Sequence, residues 1–179
     1  MNAKLFLALI LVTAFSSTHG QSKLRYSAIV QAGLLHGSSE PGWQVQMVNG
    51  VRFKTYSAGI GVGVDSYRYK TAPLFIDLRK NIFDREQTPF IYADFGTNIP
   101  IDKKVSNQWV LTEIHKGGYY DLGVGYDWSM KNKLGFTMSL GYTHKYLHLV
   151  ETYWWRTENN KEYIDYTLRR ISFKAGLRF

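Results

Sequence analysis

The sequence predicts an all-β fold: an eight-stranded antiparallel up-and-down transmembrane β-barrel. Three observations predict it. Apolar residues recur at every second position through eight segments, the period of a strand and not of a helix. The intervening positions hold Gly, short polar residues and isolated ions, where a soluble surface would carry many Lys and Glu. Tyr and Trp on the apolar phase gather near segment ends, as rings do where hydrocarbon meets head groups.

Residues 24–35 (LRYSAIVQAGLL) place Tyr26, Ala28, Val30, Ala32 and Leu34 on one face. Residues 43–48 make a weaker second strand, and Asn49-Gly50 after it is the strongest two-residue hairpin signal in the chain. In 56–67 (YSAGIGVGVDSY), Ala58, Ile60, Val62 and Val64 oppose Gly59, Gly61, Gly63 and Asp65. Leu74, Ile76 and Leu78 then oppose Phe75, Asp77 and Arg79, and Ile91, Ala93 and Phe95 oppose Tyr92, Asp94 and Gly96. Tyr120, Leu122, Val124, Tyr126 and Trp128 alternate with Asp121, Gly123, Gly125 and Asp127. Leu134, Phe136, Met138, Leu140 and Tyr142 alternate with Gly135, Thr137, Ser139, Gly141 and Thr143. The eighth strand sets Ile171, Phe173, Ala175, Leu177 and Phe179 against Arg170, Ser172, Lys174, Gly176 and Arg178. Connections at 36–42, 68–72, 98–116 and 151–162 alternate with connections at 49–54, 80–87 and 129–133, so the two longest loops share one side.

Alternation alone is shared with soluble lipocalin-like barrels, which point apolar residues inward. The polar phase decides between them. Asp65, Asp77, Arg79, Asp94, Asp121, Asp127, Arg170, Lys174 and Arg178 suit a narrow lumen filled by side chains and paired charges. Tyr26, Trp43, Tyr120, Tyr126, Trp128, Tyr142 and Phe179 suit outward girdles. In hydrocarbon each unpaired backbone group costs several kcal/mol, so such a sheet has to close. Phe179 then pairs with the first strand and does not fray.

Residues 1–20 read as a cleaved export signal: Lys4, then LFLALILVTAF over 5–15, too short to span comfortably as a helix, then small residues. Residues 21–179 are then the barrel domain. With no Cys, a disulfide framework and a Cys-based zinc site are excluded. The formal net charge of +8 is scattered and joins no nucleic-acid motif. It reads as a solvated basic surface with some affinity for anionic head groups.

Most of residues 21–179 resembles the small outer-membrane β-barrel domain family of Gram-negative bacteria, the porin-like eight-stranded barrels. The stretches that carry the resemblance are VNGVRFKTYSAGIGVGVD (48–65), PLFIDLRKNIF (73–83), PFIYADFGTNI (89–99), GYYDLGVGYDW (118–128), LGFTMSLGY (134–142) and ISFKAGLRF (171–179). The resemblance implies a monomer in the cell outer membrane, in contact with membrane lipid and lipopolysaccharide. It also implies that the barrel-assembly machinery reads the strand 171–179 through Phe173 and Phe179. Members of this class serve as scaffolds, adhesins, narrow channels and a few lipid A-modifying enzymes.

The lumen residues therefore have two readings, a plug of mutually paired charges or a thin ion-conducting path; eight strands leave no wide aqueous pore. His144 and His148 lie about 13 Å apart along a strand at ~3.3 Å per residue, too far to share a metal. His36 and His115 lie at loop edges. An enzyme would need His144 or His148 to activate Ser139, Ser38, Ser39 or Ser106, and no motif joins them. GIGVG (59–63) has no helix after it, so it is no phosphate loop. No catalytic residue, cofactor or metal is expected. Residues 148–168 (HLVETYWWRTENNKEYIDYTL) predict a hairpin beyond the bilayer carrying Tyr153, Trp154, Trp155, Tyr163 and Tyr166, which rests on lipopolysaccharide or grips an unidentified partner. The expected role is a non-enzymatic envelope component. Its rivals are a lipid A-modifying enzyme, a narrow pore and a soluble periplasmic ligand-binding barrel.

Overall fold

The computed structural model describes residues 24–37, 41–66, 69–106, 110–129, 134–153 and 161–179. The export signal assigned to 1–20 lies outside the described residues. The strands are β1 (Arg25–His36), β2 (Gly42–Phe53), β3 (Tyr56–Ser66), β4 (Lys70–Asn81), β5 (Gln87–Pro100), β6 (Lys104–Ser106), β7 (Val110–His115), β8 (Gly117–Ser129), β9 (Gly135–Tyr153) and β10 (Lys161–Arg178). Each of β1 to β4 pairs antiparallel with the next, β5 pairs with β8, β8 with β9 and β9 with β10. β10 returns to β1, with Ile29 opposite Arg178 and His36 opposite Ile171, and the eight-stranded barrel is closed. Phe179 extends that seam: its N–H donates to the Ala28 carbonyl at 2.8 Å and its carbonyl accepts from Ala28 at 3.1 Å.

Backbone parity then sends each phase of the alternation to one side. Ile60, Ile76, Val124, Leu140 and Phe173 are exposed on the outer wall, between 44% and 64%. Asp65, Asp94, Asp121, Thr143 and Ser172 are at 0% inside. An exposed apolar belt around a closed sheet with a polar interior is the inverse of a soluble barrel and is stable only against lipid. Rings edge the belt on both sides. Tyr126 stacks on Trp128 at 4.5 Å and Trp128 on Phe136 at 5.8 Å on the side of the short turns. Trp43, Tyr120, Tyr142 and Tyr146 lie on the side of the long loops.

The hairpin placed by sequence at Asn49-Gly50 is corrected. Both residues lie within β2, Phe53 pairs with Tyr56, and the turn falls at Lys54-Thr55. Asn49 instead faces outward and accepts a hydrogen bond from the Tyr26 hydroxyl at 2.6 Å. Lys54 takes the left-handed conformation, φ 54°. The loop assigned to 98–116 is also corrected, because it contains the β6–β7 hairpin. β7 runs along β9 above the end of β8, from Val110 opposite Tyr153 to His115 opposite His148. Between that pair and Tyr119 opposite Lys145, residues 116–118 face only 146–147, so β7 and β8 form one edge interrupted by a β-bulge.

Beyond the belt the polarity of the wall reverses. Leu147 and Leu149 of β9 and Ile114 of β7 point inward and are buried, with Tyr69, Ile164, Tyr166 and Leu168 packed against them. His148, Asp165, Thr167 and Arg169 face out. With 19 and 18 residues, β9 and β10 far exceed the roughly 9–11 that span a bilayer, so their loop-side halves stand in water and need an ordinary apolar core. Lys104 donates to Glu113 across β6 and β7 at 2.7 Å and, by that hydrogen bond and its charge, holds the exposed Glu113 carboxyl below its usual 4.5. The pair supports the hairpin above pH 4.5 and its support fades as pH falls through the lower folded value. We expect the amide signals of β6 and β7 to broaden in NMR spectra over that window while those of β1–β5 hold.

Inward glycines fit inward rings. A Cβ on Gly61 would lie 2.3 Å from the Phe75 ring, and one on Gly125 would lie 2.3 Å from Phe90. Phe75 is 2% exposed and packs on Tyr119 at 5.4 Å, so it has nowhere to swing. Gly61→Val is expected to cost about 1–3 kcal/mol by overpacking, partly recovered in the double variant with Phe75→Leu, as read from the denaturant midpoint in detergent micelles.

Candidate functional site: the lumen network and the outer hairpin

Each predicted lumen residue sits on the inner wall, and closure joins strands distant in sequence. On the loop side, Lys145 pairs with Asp65, which also accepts from the Thr71 hydroxyl. The Lys145 ammonium stands 5.1 Å from the Tyr119 ring centre. Arg170 is buried at the same end. At mid-height, Asp121 is the common acceptor: Tyr92 donates at 2.8 Å, Thr143 at 2.9 Å, Lys174 at 3.1 Å and Ser172 at 3.3 Å. Lys174 lies 3.5 Å from Asp94 and 4.1 Å from the Tyr92 ring centre. Arg79 grips Asp77 through Nε at 2.9 Å and reaches Gln31 at 3.4 Å. Gln31 donates to Gln46 at 2.7 Å, and Gln46 to the Tyr119 hydroxyl at 3.1 Å. On the turn side, Arg178 pairs with Asp127 and donates to Ser129 at 2.8 Å.

The inward acids Asp65, Asp77, Asp94, Asp121 and Asp127 stand among Arg79, Lys145, Arg170, Lys174 and Arg178, with the half-buried Arg52 beside Arg178 and Asp127 at the turn-side end. Buried charges are tolerated when paired and hydrogen-bonded, and here acids and cations are set together within a narrow tube. Phe75, Phe90, Gln44, Gln46, Lys145 and Lys174 are each below 2% exposed, so the tube at their level is filled rather than water-wide. A cavity of about 10 Å³ between Ile29, Val48, Ser57 and Asp77 has room for about one water.

Several members of this network escape a sequence reading. Lys145 lies past the point where the seventh alternation loses its apolar phase. Tyr92, Tyr119, Phe75 and Phe90 are aromatic and belong by type to the girdles; only their parity, shared with Asp94, Asp121 and Asp77, marks them as inward. Gln31, Gln44 and Gln46 carry no charge to attract notice, and their parity was again the available signal.

The histidines are separated by geometry. His144 faces outward among Tyr120, Tyr142 and Tyr146 and bonds the Tyr120 hydroxyl, while Ser139 faces the lumen. A general base and a nucleophile on opposite faces of one strand cannot form a catalytic pair. His148 bonds Asp165 at 2.5 Å on the outer face and stands opposite His115. Among the described residues no group of three His, Cys, Asp or Glu could hold a metal ion. Ser38 and Ser39 lie outside the described residues.

The two strands of the predicted hairpin pair as far as Thr152 opposite Lys161, and its tip lies outside the described residues. Tyr163 is 80% exposed on it. The Tyr153 hydroxyl donates to Glu151 at 2.8 Å, and that hydrogen bond pushes its pKa up to about 12. Tyr166 is corrected: it packs inward against the Leu147 and Leu149 cluster instead of facing a partner. Trp154 and Trp155 lie outside the described residues.

No protein-family model matches the sequence, and no match was found among curated proteins. Solved structures do match. The outer membrane protein OprG from Pseudomonas aeruginosa superposes with a TM-score of 0.62 at 10% identity, over 86% of this chain and 94% of that one. Neisserial surface protein A gives 0.55 at 13% identity, over 87% and 95%. The outer membrane protein AlkL, determined by solid-state NMR in lipid bilayers, gives 0.51 at 12% identity, over 92% of each chain. At these identities it is the fold that is shared: the chain is an eight-stranded β-barrel of the outer-membrane type.

Proposed function

We propose that this barrel is a non-enzymatic component of the outer membrane, with a lumen closed by its own paired charges and its contacts made by the β6–β7 and β9–β10 hairpins. The observation that carries this reading is the paired, near-completely buried set centred on Asp121 and Lys174. A conducting path needs charges that water and ions can reach, and these are spent on each other. In outer-membrane barrels the short turns are periplasmic and the long loops extracellular, so both hairpins would face outside. There Tyr163 and the outward Arg169 would meet lipopolysaccharide. The alternating strand ending in Phe179, with Phe173, would serve as the element read by the barrel-assembly machinery.

Two measurements test the role together. In planar bilayers the purified protein is expected to add no unit conductance steps. Lipid A from cells with and without the protein is expected to give the same mass spectrum. Discrete steps would establish the narrow-pore reading in its place, and a shifted acyl pattern would establish the enzyme.

A further inference from the structure

On the turn side the outer wall holds a groove of about 460 Å³. That is within the roughly 300–1,000 Å³ of small-molecule sites. Its floor follows from two outward alanines: Ala58 opposes Leu78, which opposes Ala93 on its other side. One rung nearer the turns, Phe53, Tyr56, Lys80 and Ile91 stand side by side across β2 to β5 and wall it in. Two cations edge this wall. The Lys54 ammonium lies 5.7 Å from the Phe53 ring centre and the Lys80 ammonium 5.3 Å from that of Tyr56. Among the described residues neither lysine pairs with a carboxylate; the acids of the neighbouring turn are Asp84 and Glu86. Lys54 occupies the left-handed position of its turn, where Gly or Asn would sit at lower cost, and Arg52 donates to its carbonyl at 3.0 Å.

We propose that this groove is a site for an anionic glycerophospholipid of the turn-side leaflet. One acyl chain lies over Ala58 and Ala93, and the phosphate sits between Lys54 and Lys80. The groove opens toward hydrocarbon, so its occupant arrives from the bilayer. Its cations stand at the height of the ring girdle, where head groups lie. A zwitterionic lipid offers the same chain and phosphate, but its own ammonium opposes the two lysines.

The test is native mass spectrometry of the full chain, folded in detergent, with equimolar phosphatidylglycerol and phosphatidylcholine of identical chains. The expected result is a preference for phosphatidylglycerol of about fivefold for each lysine engaged. K54Q/K80Q is expected to bring the two lipids to parity without changing phosphatidylcholine binding. A58F/A93F fills the groove and is expected to remove adducts of both. Heat-modified gel migration verifies folding, and the lysine variant, confined to exposed side chains, decides the matter alone if the alanine variant misfolds. Equal binding of both lipids by the wild type, or a preference that survives K54Q/K80Q, overturns the proposal.

Discussion

Asp121→Asn is expected to lower the unfolding free energy of the barrel by about 3–5 kcal/mol, the cost of stranding one partner of a buried ion pair. Asp121 accepts from Tyr92, Thr143, Ser172 and Lys174 at once, on strands β5, β9 and β10. An amide has one acceptor oxygen and brings two donors into a ring of donors, so several bonds are lost and Lys174 keeps only Asp94 at 3.5 Å. Asp94→Asn is expected to cost much less, because among the described residues the Asp94 carboxylate accepts no hydrogen bond, and Lys174 retains Asp121. Urea midpoints in micelles, with gel migration of the unheated samples, separate the two. If Asp121→Asn falls within 1 kcal/mol of the wild type, below the range for a broken buried pair, the network does not hold the lumen.

The second large effect is expected on the outer wall. Ile76 sits mid-strand in β4 and is 56% exposed, in the heart of the belt. Ile76→Arg puts a guanidinium in hydrocarbon and is expected to cost about 2–4 kcal/mol. His148→Arg is also an outward change, but it lies past the polarity reversal, in a pair with side chains 61% and 79% exposed. It is expected to stay within about 1 kcal/mol of the wild type. In a soluble barrel both positions would be surface, and Ile76→Arg would be neutral or helpful. Refolding yield and urea midpoint in lipid vesicles distinguish these outcomes, and equal tolerance at the two sites would remove the belt from the bilayer.

Much of this was legible in the chain because strand parity is strictly local. Asp77 and Ile76 are sent to opposite faces by the pleat alone, whatever the rest of the fold does. Where local signals compete, turn chemistry yields to the register of the wall. Asn49-Gly50 is good turn chemistry, yet β2 continues through it. Register is set by which whole set of side chains faces lipid, and a turn there would unpair Val51 from Ala58 and Phe53 from Tyr56. The β6–β7 hairpin leaves little trace in the sequence because its strands are short, and it is held by the edge of β9 rather than by its own pattern.

The sequence by itself determined the alternation, the face that meets lipid, and the charges and glycines that crowd the axis. It could not say which charge meets which. Lys145 and Asp65 are 80 residues apart, and Lys174 and Asp121 are 53 apart. Those pairs exist only once β10 closes on β1 and the registers of all eight strands are set together. The same holds for the groove on the outer wall, whose alanines and lysines come from β3, β4, β5 and the β2–β3 turn. Parity is a property of one strand, whereas pairing and concavity belong to the closed wall.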